Sequence, residues 1–596
     1  MSVLLLHPED SPFEGLWANR RWDLVVDLGW AGQVCYARWA EKLGCPVRSF
    51  YDLMPSAQAL DGLKELLRAG QNRLLDAEGI DWWDVLAPNL YLQLFELVLL
   101  RALAIEIAKD ATVQATRGHR LLEALEVILG RRIGQVQKED SPGSWRQLQR
   151  YAKLRQVLTP AQSIEIAFDK WDTDYSLRRW WNWRGATRFR EQKILVPSAY
   201  GNVSRMAMAY AAMLPEQRFL LVTTRHSGEL QNLPCNVEHI PLASYVPLRR
   251  ESSTEREIVA LTKECTKLIH TLAREPGFSA LPTALEGLPA WLPACLRIRD
   301  AWRRVLEQEP LAAVFCGDQN NRHTRLPVLL AKRRNIRTIY FHHGALDFGM
   351  WLREPCFDSY LVKGEMEREY LTDFCGAKGE RVFIGAPAEA RSAVLPRQES
   401  FIGFFSEPYE IYFGRTEELY LDVLPPLCRL AREQGRKVMV KLHPFESLTA
   451  RTALAERILQ PEDRTVLQVI KAPMTSDFLR RMWFGLTVKS SVAVECALAE
   501  IPCFLCGWFN VGPDGYMEQF VRYGAARMLT SPQEIGTIPQ ILSASLPTGE
   551  ALLRLYQPAS AQRLAAIFND SLSQTDAAAG LSATRMAAQH HEGPVE

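Results

Sequence analysis

From residue 193 onward the chain alternates short runs rich in β-branched and aromatic residues with helical stretches of ten or more residues. Strands separated by such helices return to the same sheet edge and pair in parallel, so the pattern restricts the chain to an α/β fold. The first series reads KILVPS (193–198), RFLLVTT (218–224), VEHIPL (237–242), AAVFCG (312–317), TIYFHHG (338–344), SYLVKG (359–364) and RVFIGAP (381–387). After the polar connector PAEARSAVLPRQES the alternation restarts with FIGFFSEP (401–408), KVMVKLH (437–443), TVLQVI (465–470), FGLTVK (484–489) and PCFLCG (502–507). Two Rossmann-like, doubly wound domains in tandem are therefore expected, at 191–398 and 399–572. Such sheets bind ligands at the carboxyl ends of their strands, and two sets of strand ends facing each other would make a cleft.

Residues 1–190 read differently. SVLLLH, WDLVVDLG and CPVRSFYDL suggest three strands, but a long helical region from 56 to 168 follows, which predicts an α-rich accessory domain with a short α/β start. The polar, aperiodic segment 573–596 is expected to be disordered. With 70 basic and 69 acidic side chains the chain has no overall field to draw in a polyanion. The apolar stretch 90–108 is broken by Gln93, Glu96, Arg101 and Glu106 and reads as a buried helix. MSVLLLHPEDSPFEG lacks the cationic start of an export leader, so a cytoplasmic protein is expected. Cys503 and Cys506 form a C-x-x-C without a second pair to complete a zinc set, so they are assigned to the core and no metal is expected.

Two strand ends in the second series carry unusual punctuation. His443 closes one strand and Pro444 follows it, fixing φ and removing a backbone donor, so the imidazole is held at the carboxyl edge. In LTVKSSVAVECALAEIPCF (486–504), Lys489, Ser490 and Ser491 stand between a strand and a helix, where free backbone N–H groups suit a phosphate. Glu495 lies one turn later, in reach of sugar hydroxyls.

A tandem α/β pair with KLHP on one strand and KSSVAVE opening a later helix resembles the GT-B glycosyltransferase superfamily. Within it, the set resembles bacterial enzymes of capsule and surface-polysaccharide assembly: Kdo transferases, sialyl- and polysialyltransferases, and teichoic-acid glycerophosphotransferases. The resemblance implies that His443, Pro444, Ser490 and Ser491, with Lys489, hold the donor phosphate and Glu495 the ribose of a nucleotide, often a cytidine nucleotide. It also implies a catalytic base in the first α/β domain. His343, in a His-Gly pair, fits the glycerophosphotransferase pattern, while His342, Asp318 or Asp347 would fit an aspartate-using or shifted variant. Arg322 and Arg325, beside GDQNN, are candidates for acceptor contacts. GAP stands where these families more often have GNP.

The expected activity is transfer of a glycosyl group from a nucleotide-activated sugar to a glycan or lipid-linked glycan, without metal or other cofactor. The alternatives are glycerophosphate transfer from a CDP-alcohol, sugar-nucleotide 2-epimerisation, or a GT-B scaffold without activity. RRWWNWRGATRFR (178–190), with five arginines and three tryptophans, either packs against the first strand of the tandem or lies at a membrane surface; no wider basic patch supports a nucleic-acid partner.

Overall fold

The computed structural model describes residues 1–86, 91–107, 110–136, 175, 191–225, 228–246, 252–272, 288–344, 355–387, 398–412, 414–472, 474–509, 516–542 and 549–569. Asp347, the Trp-Arg segment 178–190 and the tail 573–596 lie outside them.

Three all-parallel sheets carry the chain. The first contains β1 (Ser2–Leu6), β2 (Leu24–Asp27), β3 (Val47–Ser49), β4 (Thr112–Ala115) and β5 (Gly134–Gln135), in the order β3-β2-β1-β4-β5. The second contains β6 (Lys193–Ser198), β7 (Arg218–Thr223), β8 (Val237–Pro241), β9 (Leu311–Cys316), β10 (Arg337–Phe341), β11 (Ser359–Val362) and β12 (Val382–Ile384), in the order β12-β11-β10-β9-β6-β7-β8. The third contains β13 (Phe401–Phe405), β14 (Lys437–Lys441), β15 (Leu467–Ile470), β16 (Met482–Thr487), β17 (Cys503–Cys506) and β18 (Arg527–Leu529), in the order β15-β14-β13-β16-β17-β18. In every sheet the order reverses between the first and fourth strands of the series, which opens a crevice at the carboxyl edge.

Central strands such as β6, β13 and β16 are buried along their whole length, as expected where helices cover both faces. Cys503 and Cys506 are the buried ends of β17.

The amino-terminal region holds more sheet than its sequence pattern predicts. β1, β2 and β3 fall where expected, but β4 and β5 lie inside the stretch read as a long helical region, between or after the helices Ser56–Ala69, Trp82–Leu86, Tyr91–Glu106 and Arg120–Leu129. Strands of four and two residues are too short to display a period of two against helical neighbours. β18, a three-residue edge strand, escapes the sequence pattern for the same reason.

The amino-terminal sheet is bolted to both others. Arg415 makes a bidentate pair with Asp27 at 2.7 and 2.8 Å, and Arg38 meets Asp422 at 2.9 Å. On the other side Arg299 meets Asp76 at 2.8 Å and Arg325 meets Asp84 at 2.9 Å. The chain also crosses back at its end. Helix Ala561–Phe568 packs not on the third sheet, which precedes it, but on the second, with Leu564, Ile567 and Phe568 in one cluster with Phe219, Phe315 and Phe341. The unit expected at 399–572 therefore returns its last helix to its neighbour. Among the described residues no helix is long and apolar enough to cross a membrane.

Candidate functional site

At the third sheet's carboxyl edge three strand ends lie level, because Phe405 pairs with Lys441 on one side and Thr487 on the other. Two strand spacings put Lys441 about 10 Å from Thr487, so the KLHP and KSS turns flank one crevice. Their fields overlap: burial lowers the pKa of Lys441 while the carboxylates of Glu495 and Glu446 push it back up.

The His443 turn is held from beneath by Glu446, which is 3% exposed. Its carboxylate accepts the His443 backbone N–H at 2.8 Å, the Ser406 hydroxyl at 2.8 Å and Arg451 Nε at 2.7 Å. Lys471, just past β15, donates its ammonium to the Glu446 carbonyl at 2.8 Å. The ring itself is oriented by the Phe445 backbone N–H, 3.2 Å from Nδ1. That nitrogen must therefore accept, and the neutral ring carries its proton on Nε2. Burial, with Lys441 and Lys471 nearby, lowers the pKa of His443. The outcome is a neutral N–H donor set among ammonium groups, an arrangement suited to phosphate oxygens. Pro444 and Phe445 are exposed beside it, Phe445 by 71%.

The serines behave differently from a simple cap. Ser490 accepts the Val492 N–H at 3.5 Å through its hydroxyl, and its own N–H points to Thr487 Oγ1 at 3.4 Å. Ser491 precedes helix Val492–Leu498 but makes no side-chain cap bond. Lys489, Ser490 and Ser491 are all part-exposed, and Glu495 is exposed.

At the second sheet's carboxyl edge, β9 runs into Gly317 and Asp318, β10 into His342 and His343, and β11 into Lys363. A side chain at position 317 would run into the Phe341 ring, and its absence lets the Gly317 carbonyl accept a hydrogen bond from His343 Nδ1. A carbonyl only accepts, so Nδ1 carries the proton and Nε2 keeps its lone pair. Burial lowers the pKa of His343, Asp318 and the Gly317 hydrogen bond oppose that, and Lys363 adds to it. His343 is thus neutral at pH 7 with a basic nitrogen exposed, the state a general base needs. Its neighbour His342 is 3% exposed, its Nδ1 lies 3.0 Å from the Tyr340 hydroxyl, and burial drives its pKa well down. Asp318 turns its carboxylate onto the backbone N–H groups of Asn320 and Asn321, at 3.1 and 3.3 Å.

The two arginines part company. Arg325 is 3% exposed and pairs with Asp84 at 2.9 and 3.2 Å, which fastens the amino-terminal sheet. Arg322 opens helix Arg322–Arg333 at the edge itself, its guanidinium 4.3 Å from the Trp291 ring.

The helices that leave the two edges meet a common partner. Helix Glu365–Glu369 follows β11, helix Val492–Leu498 follows β16, and both pack against helix Gly549–Leu555. Glu369 also accepts from Arg522 and Tyr523, on and just after the helix Tyr516–Arg522. Sequence reasoning missed Lys441, Glu446, Lys471 and Lys363. The lysines had a signal, since VMVK, QVIK and YLVK each put one at a strand end.

No family model matches the chain, and no curated protein matches it. Solved structures that it resembles include a UDP-GlcNAc 2-epimerase from Neisseria meningitidis bound to UDP-GlcNAc, 10% identical with a TM-score of 0.38 over 64% of this chain and 99% of that one. Another is the Methanocaldococcus jannaschii UDP-GlcNAc 2-epimerase in complex with UDP-GlcNAc and UDP, 13% identical with a TM-score of 0.37 over 61% and 98%. A third is CalG4, the calicheamicin glycosyltransferase, 12% identical with a TM-score of 0.34 over 68% and 100%. Likeness at this level assigns no activity, and the reading of the site rests on its own geometry.

Proposed function

We propose that this chain is a GT-B glycosyltransferase that moves a sugar from a nucleotide-activated donor to a surface or capsular glycan. One observation carries the reading: two histidines at two carboxyl edges are held in opposite tautomers, His343 offering a lone pair and His443 offering an N–H. The transfer needs those two functions on opposite sides of the sugar.

In the reaction, His343 Nε2 takes the acceptor hydroxyl proton as that oxygen attacks the anomeric carbon. The bond from the anomeric carbon to the phosphate oxygen breaks and charge builds on the departing phosphate. His443 Nε2–H, Lys441, Lys471 and Lys489, with the N–H groups of the Ser490 and Ser491 turn, stabilise that charge where it develops. Glu495 is left for the ribose hydroxyls. Holding acceptor and donor on separate sheets also supplies orientation.

A panel of CMP, CDP, UDP and GDP in a thermal-shift assay tests the donor side. One nucleotide should raise the melting temperature of the wild type and not that of His443→Ala. Stabilisation by CMP favours a CMP-linked donor sugar, and stabilisation by CDP favours glycerophosphate transfer in the same cleft. A panel without any response, or an equal response in the variant, contradicts the assignment.

A further inference from the structure

The order of the second sheet reverses between β6 and β9, and what lies over that crevice is unusual in this molecule. Tyr200 follows β6, Arg225 follows β7, and Asn321 and Arg322 follow β9. Asn321 donates to the Tyr200 hydroxyl at 3.3 Å, which ties two of these loops together. The Arg225 guanidinium lies 5.5 Å from the Tyr200 ring centre, and that of Arg322 lies 4.3 Å from the ring centre of Trp291. Stacking on a ring fixes the plane of a guanidinium and leaves its N–H edge free to face a ligand.

The edges are unmet. The Nε atoms of Arg225 and Arg322 are both buried without a hydrogen-bond partner. Among the described residues neither guanidinium has a carboxylate within ion-pair distance. Among the described residues the buried arginines differ: Arg299, Arg325, Arg415 and Arg451 each hold a carboxylate at 2.7 to 2.9 Å. Between the two loops sits His323, 2% exposed, its Nε2 also buried and unpartnered while its Nδ1 lies 2.5 Å from the Tyr175 hydroxyl. Burial and the fields of Arg322 and Arg225 keep that ring neutral. Among the described residues the carboxylate that acts most on Tyr200 is Asp318, and it is turned onto its own loop. A buried charged donor without an acceptor is costly, and the two guanidinium Nε–H groups at this crevice describe a site shaped for an oxyanion.

We propose that Arg225 and Arg322 clamp an oxyanion on the acceptor, so that the glycan this chain extends carries a carboxylate or a phosphate next to the hydroxyl that attacks. The inference rests on the second sheet being the acceptor side. His343 ends β10, next to β9, so an acceptor anchored at the β6 and β9 crevice presents its hydroxyl to that ring.

The test uses the full chain and no nucleotide. Phenylglyoxal labels accessible guanidinium groups, and peptide mass spectrometry reads labelling at Arg225 and Arg322 in the wild type. D-glucuronate or glycerol phosphate should slow labelling at both positions by about tenfold, the scale of a charge-assisted contact, while glucose at the same concentration leaves it unchanged. Protection by glucuronate identifies a carboxylate acceptor, and protection by glycerol phosphate a phosphate one. In calorimetry the protecting anion should bind Arg225→Gln and Arg322→Gln several-fold more weakly than wild type and bind His443→Ala normally. Equal labelling with and without both anions, or protection by glucose as strong as by the anions, overturns the clamp. Neither result touches the nucleotide panel, so the donor and acceptor readings fail separately.

Discussion

The first and second sheets share a strand order and so share a crevice at the carboxyl edge, yet the two crevices are filled in opposite ways. In the first, between β1 and β4, Thr116 accepts the His7 backbone N–H at 3.0 Å and donates to Asp10 at 2.6 Å, and Arg117 Nε meets the same carboxylate at 3.1 Å. Arg415 arrives from the third sheet's unit, takes both oxygens of Asp27, and donates to the carbonyls of Asp10 at 3.1 Å and His7 at 3.3 Å. Its polar groups are satisfied by protein, so the crevice is a socket. In the second, Arg225, Arg322 and His323 keep buried nitrogens without partners and His343 keeps a lone pair. Topology makes a crevice in both places; what the loops put in it decides whether its polar groups are met by protein or left open.

The largest expected effect breaks the socket. Arg415→Ala leaves Asp27, fully buried, as an uncompensated charge, and unfolding in denaturant should show a loss of about 3 to 5 kcal/mol. A loss under about 1 kcal/mol would mean the socket is no more closed than its counterpart. On the substrate side, His343→Gln should lower turnover about a thousandfold, within the usual range for a general base, with the nucleotide-induced melting shift intact. A variant as active as wild type would hand the role to Asp318 or to a residue outside those described.

Most of this layout was legible in the sequence. The sheet strands of 193–387 and 401–507 read correctly because each is a compact apolar run bounded by turn residues, and His443-Pro444 and His343-Gly344 were visible as punctuation at strand ends. What could not be read depends on contacts across long separations. Arg322 and Arg325 sit one turn apart on the same helix with the same local chemistry, and only Asp84, 241 positions away, distinguishes them. Arg225 and Tyr200 come from other loops and meet Arg322 only once the parallel sheet forms. Glu446 looks like any loop carboxylate until Ser406 and Arg451 converge on it.

Two pH dependences sharpen the contrast further. In the proposed reaction His343 works unprotonated, and burial places its pKa below the ordinary histidine value. Activity should therefore hold through neutrality and fall only as pH drops through that lowered pKa. Asp318 raises the pKa of His343, so Asp318→Asn should move the acid limb still lower; an unmoved limb would separate the two residues. In the socket, burial and Arg117 hold His7 at about 4. The unfolded chain takes up that proton near 6.5, so the folded state loses stability as pH falls from there toward about 4. Melting temperature should decline across that window in wild type and less so in His7→Gln.

The opposite tautomers of His343 and His443 are the centre of the account, and long-range proton–nitrogen correlation NMR on histidine-labelled protein at neutral pH reads them directly. Assigned by comparison with His343→Gln and His443→Ala, His343 should carry its proton on Nδ1 and His443 on Nε2, with only the latter's signals moving when the stabilising nucleotide is added. Two rings in the same tautomer, or a protonated His343, would contradict it.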